Sequence, residues 1–177
     1  ISYDSAVFPT NFSVAGNGII TVTGSALPAI SKAGTSIEAQ TVGVTLDGTG
    51  LGAGVDGLTI TATGARVLGH WIRNFPDDGI VISGAGTATI GGTGSADANF
   101  INVNAGDAID FSSTAGTTVI KGNYIGTYKG FQDRGNAGHG IYINGTGTLT
   151  IGGTCTGGTG TANINEGNYI AFHDTTN

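Results

Sequence analysis

Apolar residues recur along this chain in twos and threes at alternate positions, with glycine, asparagine or aspartate on either side. Runs this short, with a period of two, predict half-buried β-strands and not helices. Three signatures repeat in a fixed order. The first is Asp56-Gly-Leu-Thr-Ile60, Asp78-Gly-Ile-Val-Ile82, Asp107-Ala-Ile-Asp-Phe111 and His139-Gly-Ile-Tyr-Ile143. The second sets an apolar residue two before a glycine, as in Val67, Ile90, Ile120 and Ile151. The third joins a polar residue, an aromatic and isoleucine: His70-Trp-Ile72, Asn99-Phe-Ile101, Asn123-Tyr-Ile125 and Asn168-Tyr-Ile170.

The laps differ in length but not in order. Asp56 to Asp78 is 22 residues, Asp78 to Asp107 is 29, and Asp107 to His139 is 32. The additions fall between signatures, at 93–98, 126–138 and 154–167, where corner loops would stand. Three short strands per lap, each leaving an edge that only the next lap can pair, predict stacked coils. Alternation then points Leu58/Ile60, Ile80/Ile82, Ile109/Phe111 and Ile141/Ile143 inward, together with the second-signature residues and Ile72, Ile101, Ile125 and Ile170. The expected fold is all-β, a single-stranded right-handed parallel β-helix of about four to six coils. Residues 1–55 fit less regularly and are assigned to N-terminal cap strands and a first coil, with 56–177 as regular coils of one continuous domain.

The order D-G-I-x-I, T-x-I-G-G, N-x-I, with G-N-Y-I-G-T in one lap, resembles the right-handed parallel β-helix repeats of large secreted or cell-surface proteins of prokaryotes, within the pectate-lyase-like superfold. The resemblance covers about residues 44–177. It implies the fold more strongly than any activity, because that architecture also carries polysaccharide lyases, glycosidases and tailspike-type proteins.

Composition narrows the partners. The net charge of −6, with six Lys plus Arg, leaves no basic patch for nucleic acid. No apolar run is long enough to predict a membrane span. Charged residues make up only 10% while glycine reaches 34 of 177, and the Thr/Gly/Asn-rich, lysine-poor balance suits an extracellular or cell-surface location. The chain begins at Ile1 and holds no methionine, which points to a removed leader. Its single cysteine, Cys155, allows no internal disulfide.

Four groups of residues carry candidate chemistry. Asn99, Asn123 and Asn168 share the side of their isoleucine neighbours and are expected to stack as an inward amide ladder, with His70 ending it. Trp71, Phe100, Tyr124 and Tyr169 then face outward as a row, either a contact surface for glycans or a protein, or a strip covered by corner loops. Asp56, Asp78 and Asp107, with His139 in the fourth place, form an acidic column at the roughly 4.8 Å spacing of stacked strands. Calcium would relieve their repulsion; the simpler expectation is an Asx-type turn that leaves each carboxylate in solvent. Glycosylation sequons stand at Asn11 and Asn144.

The resemblance also implies an enzyme alternative. Polygalacturonase-like glycosidases of this fold carry a paired Asp and a Gly-His-Gly element, which Asp77, Asp78 and His139 echo. The Asn-Thr-Asp and Arg-x-Lys elements are missing, and Arg66, Arg73, Lys121 and Arg134 are scattered over different corners. No cofactor is implied. The expected role is therefore non-enzymatic: an extracellular scaffold whose unlike ends meet head to tail as copies of itself, which makes an open filament. The alternative is a carbohydrate-binding or carbohydrate-active β-helix.

Overall fold

The computed structural model describes residues 18–40, 43–128, 132–153 and 166–173. They form a parallel β-helix of about four turns with no α-helix. The first-strand sheet stacks β4 (Leu58–Ile60), β7 (Ile80–Gly84), β10 (Ile109–Ser113) and β15 (Ile141–Ile143). The second-strand sheet stacks β2 (Ser36–Glu38), β5 (Ala65–Leu68), β8 (Ala88–Ile90), β11 (Thr117–Ile120) and β16 (Thr148–Ile151). The third-strand sheet is the tallest: β1 (Gly18–Thr21), β3 (Val44–Asp47), β6 (His70–Arg73), β9 (Phe100–Asn102), β12 (Tyr124–Ile125) and β17 (Tyr169–Ile170). A small antiparallel pair, β13 (Thr127–Tyr128) with β14 (Gln132–Asp133), stands in the corner at 126–138.

Parallel pairing reaches back to Gly18: β1 pairs β3, β2 pairs β5, and Ile30 bridges Ile60. β1, Ile30, β2 and β3 are thus in register with the coils above them. The turn between second and third strands is sharp, and glycine makes it. Gly69, Gly91, Gly122 and Gly152 all have φ between 70° and 84°, a region closed to most side chains. In the Ile-Gly-Gly laps it is the first glycine that turns.

Three inward columns make the core. Ile72, Ile101 and Ile125 are fully buried, as are Ile82, Ile90 and Ile120, with Phe111 at 1% exposure. Each such side chain stabilises the stack by roughly 1.5–3 kcal/mol. Phe75, at 1%, plugs a corner that periodicity alone does not mark as core. The columns continue into the last coil, where no described residue covers them: Ile143 is 56% exposed, Ile151 46% and Ile170 45%. Ile19, in the first strand, is 57% exposed.

Candidate functional site

The amide column forms as its sequence position predicts. Asn99 Nδ2 donates to Asn123 Oδ1 at 2.9 Å, and Asn123 Nδ2 donates to Asn168 Oδ1 at 2.9 Å. The same oxygens accept the backbone N–H groups of Asn99 and Asn123, while each Nδ2 also reaches a backbone carbonyl of a lower coil: Val67, Ile90 and Ile120. An amide carries donor and acceptor together, so the ladder satisfies itself in the interior. His70 stands in the next place down, 3% exposed, its N–H donating to Asn99 Oδ1. Burial drives its pKa down to about 4, against the pull of the Leu68 backbone, and the ring is neutral.

A second amide ladder was not expected. Asn104 Nδ2 donates to Asn136 Oδ1 at 2.8 Å, and that oxygen also takes the Asn104 N–H. Asn104 Oδ1 in turn accepts the Phe75 N–H. Its signal was a residue three beyond each third-strand isoleucine: Phe75, Asn104 and His173 follow Ile72, Ile101 and Ile170. The β13–β14 insertion displaces Asn136 from that spacing and hid the pattern. A groove of about 860 Å³ crosses this corner, lined by Asn74, Phe75, Val103, Asn104, Asn136 and His173 among others.

The aromatic row is present and half-buried. Phe100 and Tyr124 stack at 4.9 Å with planes 9° apart, and Tyr124 and Tyr169 repeat the geometry. Tyr128, from the inserted corner, stacks on Trp71 at 5.2 Å and also meets Phe100. The Arg73 guanidinium lies 5.0 Å from the Trp71 ring, whose Nε1 donates to Asn102. Rings pack face to face from Phe100 through Tyr124 to Tyr169.

The acidic column departs from expectation. Its carboxylates are half-buried, not splayed into solvent, because each caps the coil above. Asp78 N–H donates to Asp56 Oδ1 at 3.2 Å, Asp107 N–H to Asp78 Oδ1 at 2.6 Å, and His139 N–H to Asp107 Oδ1 at 2.5 Å. His139 Nδ1 also lies 2.9 Å from Asp107 Oδ1, which closes the column with an ion pair when the ring is protonated. Burial raises the Asp78 pKa; the Asp107 N–H opposes it, and the charges of Asp107, Asp77 and Asp56 add, bringing it to about 6. Burial likewise raises Asp56.

Of the calcium candidates, Asp56 and Asp78 come together with Asp77, one oxygen of each within 4.8 Å of the others, while Asp107 lies outside that group. Such oxygens are the donors that hard cations take. Of the catalytic candidates, Asp77 and Asp78 are neighbours and His139 belongs to Asp107. An inverting glycosidase separates its carboxyl groups by roughly 6.5–9.5 Å to admit water, whereas one oxygen of each of Asp56, Asp77 and Asp78 lies within 4.8 Å of the others. The groove at the other corner is not lined by these acids.

No family model, curated protein or solved structure matches the chain.

Asn144 is exposed at the end of β15 and its sequon is accessible; Asn11 and Cys155 lie outside the described residues. Among the described residues no helix is long and apolar enough to cross a membrane.

Proposed function

We propose that this chain is a structural β-helix of the secreted or cell-surface kind, serving as a scaffold that assembles end to end through its open coil edges. The observation that carries this reading is the last coil. Its inward isoleucines continue columns buried to 0–1% below, yet stand 45–56% exposed, and β15, β16 and β17 are each the outer strand of their sheet. A solenoid buries such an end under a polar cap or under a further unit. The low charge, the Thr/Gly/Asn-rich composition and the resemblance to prokaryotic surface β-helices support the extracellular setting. Electron microscopy of concentrated protein tests the proposal: strings or rods of stacked particles are expected, and uniformly single particles would overturn it.

A carbohydrate-active reading draws support from one observation, the Asp78 carboxyl held near pH 6 beside Asp77. Reducing-sugar release from acidic polysaccharides, abolished in Asp78→Asn, would establish it. No release, and no binding on a glycan array, is the result expected of a scaffold.

A further inference from the structure

One pair in the aromatic row differs in chemistry from the rest. Tyr124 and Tyr169 are register partners in β12 and β17, with ring centroids 4.9 Å apart and planes 9° from parallel. Among the described ring contacts this one joins two phenols. Elsewhere the row sets tyrosine against phenylalanine or tryptophan. Both tyrosines are half-buried, so solvent reaches the pair.

The backbone on either side fixes the two rings in place. One residue before them, Asn123 Nδ2 donates to Asn168 Oδ1; one residue after, Ile125 pairs with Ile170. Tyr169 N–H donates to the Asn123 carbonyl at 2.8 Å, and Ala171 N–H to the Ile125 carbonyl at 3.1 Å. Two phenols held side by side need no encounter before they react. Their effective molarity is far above that of phenols on separate chains. The pair also stands at a telling step. Asn123 to Asn168 is 45 residues, against 29 from His70 to Asn99 and 24 from Asn99 to Asn123. Closing the longest of these steps costs the most chain entropy, so a covalent tie has most to offset there.

We infer that Tyr124 and Tyr169 form a site of oxidative cross-linking, where a peroxide-driven one-electron oxidant couples them into dityrosine. Each phenol loses one electron and its O–H proton and becomes a phenoxyl radical. The radicals join through a carbon–carbon bond between ring carbons ortho to oxygen. The hydrogens on those two carbons leave as protons, and the two oxygens take protons up, which restores both phenols. Overall the protein gives up two electrons and two protons, and these convert one hydrogen peroxide into two waters. Neighbouring strands stand about 4.8 Å apart, so the rings meet by swinging outward about their Cα–Cβ bonds. Burial raises the Tyr124 pKa and the nearby Tyr169 adds to it, so this phenol keeps its proton at neutral pH until the electron leaves. Both rings belong to one chain, and the link needs no end-to-end assembly.

The test oxidises the full chain with hydrogen peroxide and a haem peroxidase, in a Cys155→Ser background so that no thiol competes. The single chain should lose the mass of two hydrogens and gain the blue fluorescence of dityrosine. Peptide mapping should join Tyr124 to Tyr169. The linked fraction should stay constant on roughly ten-fold dilution, because both partners are on one chain. Tyr169→Phe should keep the stack, as Phe100 does against Tyr124, and abolish the link within the chain. Links found only between separate chains would overturn the inference. So would a link within the chain through Tyr3, Tyr128 or Tyr142 in place of this pair. The absence of any link once the 40% exposed Tyr142 has been oxidised would overturn it too.

Discussion

Two columns of polar side chains climb this helix, one of amides and one of carboxylates, and they meet the same demand with different chemistry. Asn99 and Asn123 are fully buried, because an amide gives and takes a hydrogen bond at once and stacks without charge. Asp56, Asp78 and Asp107 only accept. Each must draw an N–H from the coil above, and each stands near the next negative charge. A neutral ladder can therefore sit inside the solenoid, while an acidic one belongs at its rim and weakens the fold once every member is ionised.

Exchanging the two chemistries gives the largest expected effect. Asn123→Asp puts an acceptor-only charge between Asn99 and Asn168, and about 3–5 kcal/mol of stability should disappear at pH 7. Denaturant unfolding at pH 7 and pH 4 checks this, with partial recovery expected at pH 4, where the carboxyl is protonated. A loss equal at both pH values would mean that geometry, not charge, sets the cost. Asn104→Ala in the second amide ladder should cost about 2 kcal/mol, since it strands the Phe75 N–H and a lone pair of Asn136.

Asp47 sharpens the comparison, being a carboxylate that has what the acidic column lacks. Burial pushes its pKa up, but bonds from Thr49, Asn74 and Arg73 outweigh that and bring it to about 2. Its folded pKa lies below the unfolded value near 3.8. The stabilisation is therefore present above about pH 4 and lost as pH falls toward 2. Asp47→Asn should lower the melting temperature at pH 7 and leave it little changed at pH 2. Asp78 runs the other way. With a folded pKa near 6, the folded state binds the extra proton, so stability falls as pH rises from about 4 to 6. Asp78→Asn keeps an oxygen for the Asp107 N–H and removes the charge. It should stabilise by about 1 kcal/mol at pH 7, with solvent screening allowed for, and have no effect below pH 4. Melting curves from pH 3 to pH 8 would show it, and a destabilised variant at pH 7 would contradict the repulsion argument.

What could be read in advance was whatever repeats at a fixed offset within a lap. The three strand signatures, the inward isoleucines, the Asn99–Asn123–Asn168 ladder and the aromatic row all follow from alternation and lap order. What could not be read depends on groups without a one-letter code or on segments that break the lap. The acidic column is held by backbone N–H groups, so no partner residue announces it, and an Asx turn was the simpler expectation. Asn136 is moved off its offset by the β13–β14 insertion. Tyr128 reaches Trp71 from that same insertion, a contact of tertiary origin. Phe75 is core because the corner folds back on it, not because it lies on a strand.

The unequal laps carry a mechanical consequence. Every coil is held only by its neighbours, so a chain drawn from its last coil should come away one lap at a time, without collapsing as a unit. The laps measure 22, 29 and 32 residues. At about 3.4 Å per extended residue, these release roughly 75 to 110 Å of chain each. Force–extension traces would then show a staircase of unequal treads, whose order spells out the direction of unravelling. A rod built from such units would lengthen under load by shedding single laps while the rest of each unit keeps its grip.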